Sequence, residues 1–387
     1  MPEKSGLPSA VRGIEPAEEA GEREQEMRAA EIRNRPRRTQ AWRRKSIPHC
    51  NSGDRVRWGR GALCFFCAQY TVRMSKPIVA AESLVALGAT ERRLDEYANY
   101  EIMLGSLRIS RALPVKGRRM IGPWCFLDRF GPLSFTEGMP MDVAPHPHMG
   151  LQTVTWLLEG EVVHDDSLGK EAVLRPGGVN VMTSGHAIAH AERTPADNTG
   201  RLNGVQLWTA LPDHDRHGAP SFQHVQSVPT FEQPGGIVRV FSGSIDRAAS
   251  PAHYFSDLVG ADLQVHRAGS LDVPLRPDFE YAVLVLTGDC ALDGQPLRDR
   301  VLYYLGMQRT QAAFASQSGA RVLLIGGPPF PEAILMWWNF VARTPEEIRD
   351  ARDDWESGRR FGAVTAYKGQ RLHAPELVRL ARPNPVS

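Results

Sequence analysis

A chain of 387 residues, 42% hydrophobic and 23% charged, has an ordinary globular composition and is long enough for two cores plus extensions. Its formal net charge of +2 argues against a strongly basic polyanion binder. No apolar run approaches the length of a transmembrane helix, and the start lacks a hydrophobic signal core, so a cytoplasmic location without a membrane partner is expected.

The charge is unevenly spread. Residues 1–73 hold 15 Lys/Arg against 9 Asp/Glu, a balance of +6, and the remainder holds 31 against 35, a balance of −4. The basic run at 33–45 contains Arg35, Arg37, Arg38, Arg43 and Arg44 and reads as a solvated, weakly ordered tail. The mildly acidic remainder offers no phosphate-binding surface, so nucleic acid is not expected as a partner. Cys64-Phe65-Phe66-Cys67, with His49 and Cys50 upstream, lacks the second pair that a zinc site needs, and five cysteines make no disulfide framework in a chain of this size. Met74 would serve as a start, and 1–73 is expected to be a basic extension or an over-long reading of the gene.

Segments 98–113 and 118–126 read as the first strands. From Phe126 the chain is expected to enter a loop rich in Pro, Gly and Met that reaches His146. Trp124, Phe126, Phe130 and Phe135 should divide between core and pocket wall. Residues 151–158 form a β-branched, aromatic strand closed by Glu159-Gly160, and shorter strands follow at 162–165, 171–174 and 179–182. Turn signals about every ten residues indicate an antiparallel sandwich or barrel.

This run is bracketed by two dyads, His146-Pro147-His148 and His190-Ala191-Glu192. Residues i and i+2 of a strand share a face, so each dyad can address one point. Brought together, they make a site of three nitrogens and one oxygen suited to iron, manganese, nickel, copper or zinc. His164 and His186 are read as histidines outside the ligand set.

Residues 202–211 alternate as a strand closing the first barrel, and 212–220 is a polar linker. A second β region at 222–325 carries strands at 236–242, 261–267, 280–287, 301–305 and 321–325. Its Leu286-Thr287-Gly288-Asp289 echoes Leu158-Glu159-Gly160-Glu161, a sign of internal duplication. Where the first half has its dyads, the second has Pro274-Leu275-Arg276-Pro277 and Gln311-Ala312-Ala313-Phe314, so it is expected to hold no metal. Thr344-Pro345-Glu346-Glu347 is a capping box opening a helix at 345–357.

The chain resembles the pirin family of metal-binding bicupins. The likeness rests on residues 118–132, on His146-Pro147-His148-Met149-Gly150 through Thr155, on Arg175-Pro176-Gly177-Gly178, on His190-Ala191-Glu192, and on Gly326-Gly327-Pro328-Pro329 with Trp337, Asn339, Phe340 and Val341. It covers about 84–362, with two departures at Met149 and Gln152, where family members often carry Arg and Glu. The resemblance implies an all-β fold of two cupin-type β-barrels in tandem with a C-terminal helix. The metal-binding barrel would span 84–215, the barrel without ligands 216–330, and the terminal segment 331–387. It implies one divalent transition metal, iron first, with Mn, Ni, Cu, Co or Zn as the others, held by His146, His148, His190 and Glu192. It further implies a quercetin 2,3-dioxygenase-like oxidoreductase acting on a small aromatic substrate and O2, with Glu192 as catalytic base. The alternative is a non-catalytic metal-bearing regulator working through a protein partner. An open pocket beside the metal separates the two, since only the enzyme needs room for an aromatic ring.

Overall fold

Short segments of alternating residues satisfy their backbones and hide their apolar faces as layered antiparallel strands. The computed structural model describes residues 94–377, apart from 105, 106, 137 and 139. The cysteine pair at 64 and 67, the basic run and Met74 lie outside the described residues.

Strands are numbered β1–β25 in chain order. In the first half, β12 (Ser221–Val225), β9 (Val179–Thr183), β6 (Leu151–Gly160), β11 (Arg201–Ala210), β4 (Trp124–Ser134), β3 (Leu107–Leu113) and β2 (Tyr100–Leu104) form a seven-stranded sheet in that spatial order. Facing it are β5 (Asp142–His148), β10 (Ile188–Arg193), β7 (Val162–Asp166) and β8 (Glu171–Leu174). The second half repeats the plan. Its large sheet runs β1 (Asp95–Ala98), β21 (Val301–Gly306), β18 (Glu280–Gly288), β23 (Ala320–Gly327), β16 (Val259–Val265), β14 (Gly236–Ile245), β13 (Thr230–Gln233). Its small sheet runs β17 (Gly269–Pro274), β22 (Gln311–Ser316), β19 (Cys290–Leu292), β20 (Gln295–Leu297). The two cupin units are therefore sandwiches of facing sheets rather than sheets closed on themselves.

The halves exchange strands. β1 pairs with β21 in the second half, and β12 pairs with β9 in the first. The two large sheets meet back to back through Trp156, Leu207, Phe241, Leu284 and Leu323, all buried. Two indoles pin that seam: Trp156 Nε1 donates to Asp262 Oδ2 at 3.0 Å, and Trp124 Nε1 to the carbonyls of Val259 and Gly326, each at 3.1 Å. This double burial explains why the central strands read as near-continuous apolar runs. The interior of the second sandwich is filled by Leu271, Phe279, Tyr281, Leu292 and Phe314.

The echo between the halves has a structural counterpart. Gly160 and Gly288 end the equivalent strands β6 and β18 at φ +87° and +76°. A Cβ at either would lie 2.1 or 2.0 Å from the carbonyl oxygen of Arg201 or Gly319 on the next strand, so only glycine fits.

The strand expected at 118–126 is not formed as such. Residues 115–124 make two isolated bridges, Val115 with Arg118 and Ile121 with Trp124, and the strand proper begins at Trp124. It then continues past Gly131-Pro132, where a loop was expected: β3 pairs with it as far as Phe130, and β11 pairs up to Phe130 and resumes at Leu133 after a register shift. Tertiary pairing outweighs the local Gly-Pro signal.

A hairpin, β24 (Leu335–Trp337) with β25 (Phe340–Ala342), leads to the helix α1 (Pro345–Glu356). Its capping box is complete, with Thr344 Oγ1 accepting from Glu347 N and Glu347 accepting from the Thr344 amide. Ile348, Ala351 and Trp355 bury against the hairpin and against Ala187, Ala189 and Ala191 beside β10. The tail beyond the helix folds back, with Leu372 N donating to the Pro145 carbonyl at 2.8 Å and Tyr367 to Asp142 at 2.8 Å.

Candidate metal centre

β5 carries prolines at 145 and 147 because it is an edge strand with a neighbour on one side only. Its pairing with β10 places His190 opposite His146 and Ile188 opposite His148. The three imidazoles thus face one another. Their ring centroids lie 4.4–5.0 Å apart, and one nitrogen of each falls within 4.8 Å of the others.

Each ring's remaining partner defines what it presents. His146 Nδ1 lies 2.9 Å from the Ala144 carbonyl, which can only accept, so Nδ1 carries the proton and Nε2 offers a lone pair. His190 Nε2 and both nitrogens of His148 are buried without a hydrogen-bond partner. Burial pushes the His146 pKa down to about 4 and holds His148 and His190 well below the ordinary imidazole value, with neighbouring imidazoles adding to the effect. Neutral, buried imidazoles converging with lone pairs to offer have the donor chemistry that a divalent transition metal requires.

Glu192 sits differently from the three. A register shift separates it from His190 on the β5 side, and it stands across from His164 on β7. Its carboxylate is not among the atoms that converge; Oε1 lies 3.4 Å from Thr155 Oγ1. It is buried and lines the same pocket. Burial raises its pKa, partly offset by His164 and Thr155.

His164 orients His190. The two Nδ1 atoms are 3.3 Å apart, and His164 Nε2 is 3.2 Å from Asp166 Oδ2. The carboxylate can only accept, so Nε2 of His164 carries a proton; when the ring bears no second proton its Nδ1 is bare and can accept Nδ1–H from His190. That leaves His190 Nε2 free for the metal, as needed. The Asp166 carboxylate is fixed in turn by the amides of Leu168 and Lys170, and the His164 ring stacks on Phe222 at 4.1 Å. His186 lies elsewhere, against the Gly218 carbonyl. Gln152 is engaged with Thr183 and the His253 carbonyl.

Beneath the imidazoles, a row of directly opposed residues crosses the large sheet: Arg111, Asp128, Gln206, Thr155, Asn180 and His224, one from each of six strands. Arg111 grips Asp128 through two bonds of 2.7 and 2.8 Å, Thr155 donates to Gln206 at 2.8 Å, and His224 meets Asn180 at 2.6 Å. The adjacent row supplies Phe126 and Trp208, stacked at 3.9 Å, with Trp208 edge-on to His148.

Between the row and the imidazoles lies a pocket of about 100 Å³ that opens to solvent at its mouth. Its walls include Ile109, Phe126, Phe130, Trp208 and Trp338, with Leu372 from the returning tail. Phe126 and Phe130 thus belong to the pocket wall and Trp124 to the core. Trp338 takes the left-handed conformation, φ +51°, in the two-residue turn between β24 and β25. A tryptophan held there beside a cavity marks a strained position at a binding site.

Two facing-sheet units, one bearing within its sandwich a histidine cluster that could hold a metal, define a bicupin. Residues 106–209 match the Pirin family model and 260–362 the model of the pirin C-terminal cupin domain. The chain belongs to the pirin family. It is 44% identical over 274 residues to a Pseudomonas aeruginosa protein provisionally named a quercetin 2,3-dioxygenase, covering 70% of this chain and 87% of the relative. A pirin-like protein of Caulobacter vibrioides is 35% identical over 263 residues, covering 66% and 90%. Among solved structures, a quercetin 2,3-dioxygenase from Acinetobacter baumannii superposes with a TM-score of 0.73 at 41% identity, covering 75% of this chain and 97% of that one. The Escherichia coli pirin YhhW, solved with nickel(II), shares the fold at TM-score 0.50 and 16% identity, covering 61% and 100%.

Proposed function

We propose that the protein is a metal-dependent dioxygenase, iron-loaded and quercetin 2,3-dioxygenase-like, that opens flavonol-type substrates with O2. The observation that carries this reading is the open, aromatic-walled pocket directly beside three neutral imidazoles. A metal-bearing regulator that acts through a partner surface has no need of such a chamber. The names of the Pseudomonas and Acinetobacter relatives point the same way.

In this reading His146, His148 and His190 hold the metal, with Glu192 as the fourth ligand, and the first cupin unit does the chemistry while the second supports it. A bound divalent metal would favour the ionised form of a substrate hydroxyl at neutral pH. The chain's own contribution is positional. Asp166 and His164 fix the His190 tautomer, Ala144 fixes that of His146, and Trp208 and Phe126 confine a planar ring. Glu192, buried and of raised pKa, receives the proton of the flavonol 3-hydroxyl. The ring then opens by taking up O2 and releasing CO.

The test is aerobic turnover of quercetin by metal-reconstituted protein, read as O2 consumption and CO release. Activity should vanish in His146→Ala and in Glu192→Ala. A fully metal-loaded protein that turns over none of several flavonols would refute the proposal.

A further inference from the structure

The pocket has a polar end that the chemistry above leaves unused. Arg111 and Asp128 stand side by side in the row across the sheet, both nearly buried and both lining the pocket. The guanidinium lies 4.4 Å over the Phe126 ring, which is stacked on Trp208. Its Nε and Nη2 are committed to the two oxygens of Asp128, and Tyr100 at the outer edge also acts on the guanidinium. Burying an ion pair costs desolvation that an apolar pair of the same shape would avoid, so the sheet does not need it for stability. Away from the imidazoles and Glu192 the cavity wall is mostly apolar, with Gln206 and Asn339 its other polar members, so a charged pair placed there points to recognition.

We propose that the Arg111–Asp128 pair is the anchoring subsite for a neutral phenolic hydroxyl at the end of the substrate remote from the imidazoles. This rests on the dioxygenase reading and adds to it which substrates fit. Three facts select the group. Each Asp128 oxygen accepts one bond from Arg111 and has a further lone pair, so the pair can accept a proton donor. Arg111 has N–H capacity beyond its two bonds to Asp128, so the pair can also donate. The pair is neutral in sum. A substrate carboxylate would meet Asp128 and an ammonium would meet Arg111, each at a like charge in a poorly solvated site. A hydroxyl both donates and accepts, and carries no charge. Strand spacing sets the reach: Thr155, beside Glu192, and Asp128 are separated by β11 alone, two strand spacings or about 10 Å. That distance is spanned by two or three conjugated rings, which the Phe126–Trp208 stack would flank.

The test is calorimetric titration of metal-loaded protein under argon, so that no turnover intervenes. The probes are quercetin, with hydroxyls on its outer ring, 3-hydroxyflavone, with none, and 3-hydroxyflavone bearing a carboxylate on that ring. The parent should bind quercetin at least about tenfold more tightly than 3-hydroxyflavone, and the carboxylate no better than 3-hydroxyflavone. Because either single change leaves a buried charge unpaired, the variant is Arg111→Met with Asp128→Leu, checked by thermal unfolding and metal content. It should bind 3-hydroxyflavone as the parent does and lose the preference for quercetin. If the double variant fails to fold, Asp128→Asn replaces it and should cut the preference at least threefold. Equal binding of the first two probes by the parent, a preference that survives in the variants, or binding of none of the three would overturn the proposal. Discrimination without O2 consumption would instead sink only the dioxygenase reading, and turnover without discrimination only the subsite.

Discussion

His164 offers the most direct perturbation of the metal centre that leaves every proposed ligand in place. In His164→Phe the ring keeps its shape and its stack on Phe222, but the acceptor for His190 Nδ1–H disappears. A buried donor left without a partner costs about 1–3 kcal/mol. Loss of a partner that orients a metal-binding histidine lowers metal affinity by about 10–100-fold. The two agree, since that factor corresponds to about 1.4–2.7 kcal/mol. The assay is metal competition against a fluorescent chelator at fixed pH and ionic strength, with the cobalt-substituted absorption spectrum as a check that the ligands are unchanged. The dissociation constant should rise 10–100-fold while the spectrum keeps its coordination pattern. Asp166→Asn, which weakens the support one step further out, should give a smaller rise in the same direction. A His164→Phe protein binding metal within about twofold of the parent would refute the tautomer argument.

Other consequences can be checked separately. Glu192→Gln keeps the shape of the side chain but cannot accept a proton, so kcat should fall on the order of 10²–10⁴-fold while the three imidazoles retain metal, read by O2 uptake alongside elemental analysis. Trp156→Phe removes the indole bond to Asp262 across the seam between the halves; calorimetry should report a loss of about 1–2 kcal/mol and a lower Tm. An unchanged Tm would show the seam to be indifferent to that bond. Burial pushes the Cys125 and Cys290 thiols up to about 12, so at pH 8 both stay protonated. Peptide mass spectrometry should find them unalkylated by iodoacetamide until denaturant is added.

Much of the centre is legible in the chain because a strand repeats every two residues. His146-Pro147-His148 announces a shared face without any knowledge of its neighbours, and Gly160 with Gly288 betrays the doubled plan. The rest depends on register. His164 and His190 are 26 residues apart, and only the pairing of β7 with β10 brings their rings together. Arg111 and Asp128, 17 apart, meet for the same reason. Glu192 shares the period of His190 but not its convergence, since a shift in pairing against β5 falls between them. Gly131-Pro132 reads locally as punctuation, yet β4 resumes beyond it because β11 picks up the pairing again at Leu133 after a register shift. Leu372 reaches the pocket from an irregular tail, where no period exists to read.

The crossing over of β1 and β12 ties the fate of each cupin to the other. A gene cut at the linker would strip each fragment of an edge strand and bare the broad apolar back of its large sheet. Neither fragment is then a portable module. The half that carries the three histidines cannot be transplanted, tagged at an internal break or evolved without the other, and a lesion deep in the second half should disturb the histidine cluster in the first.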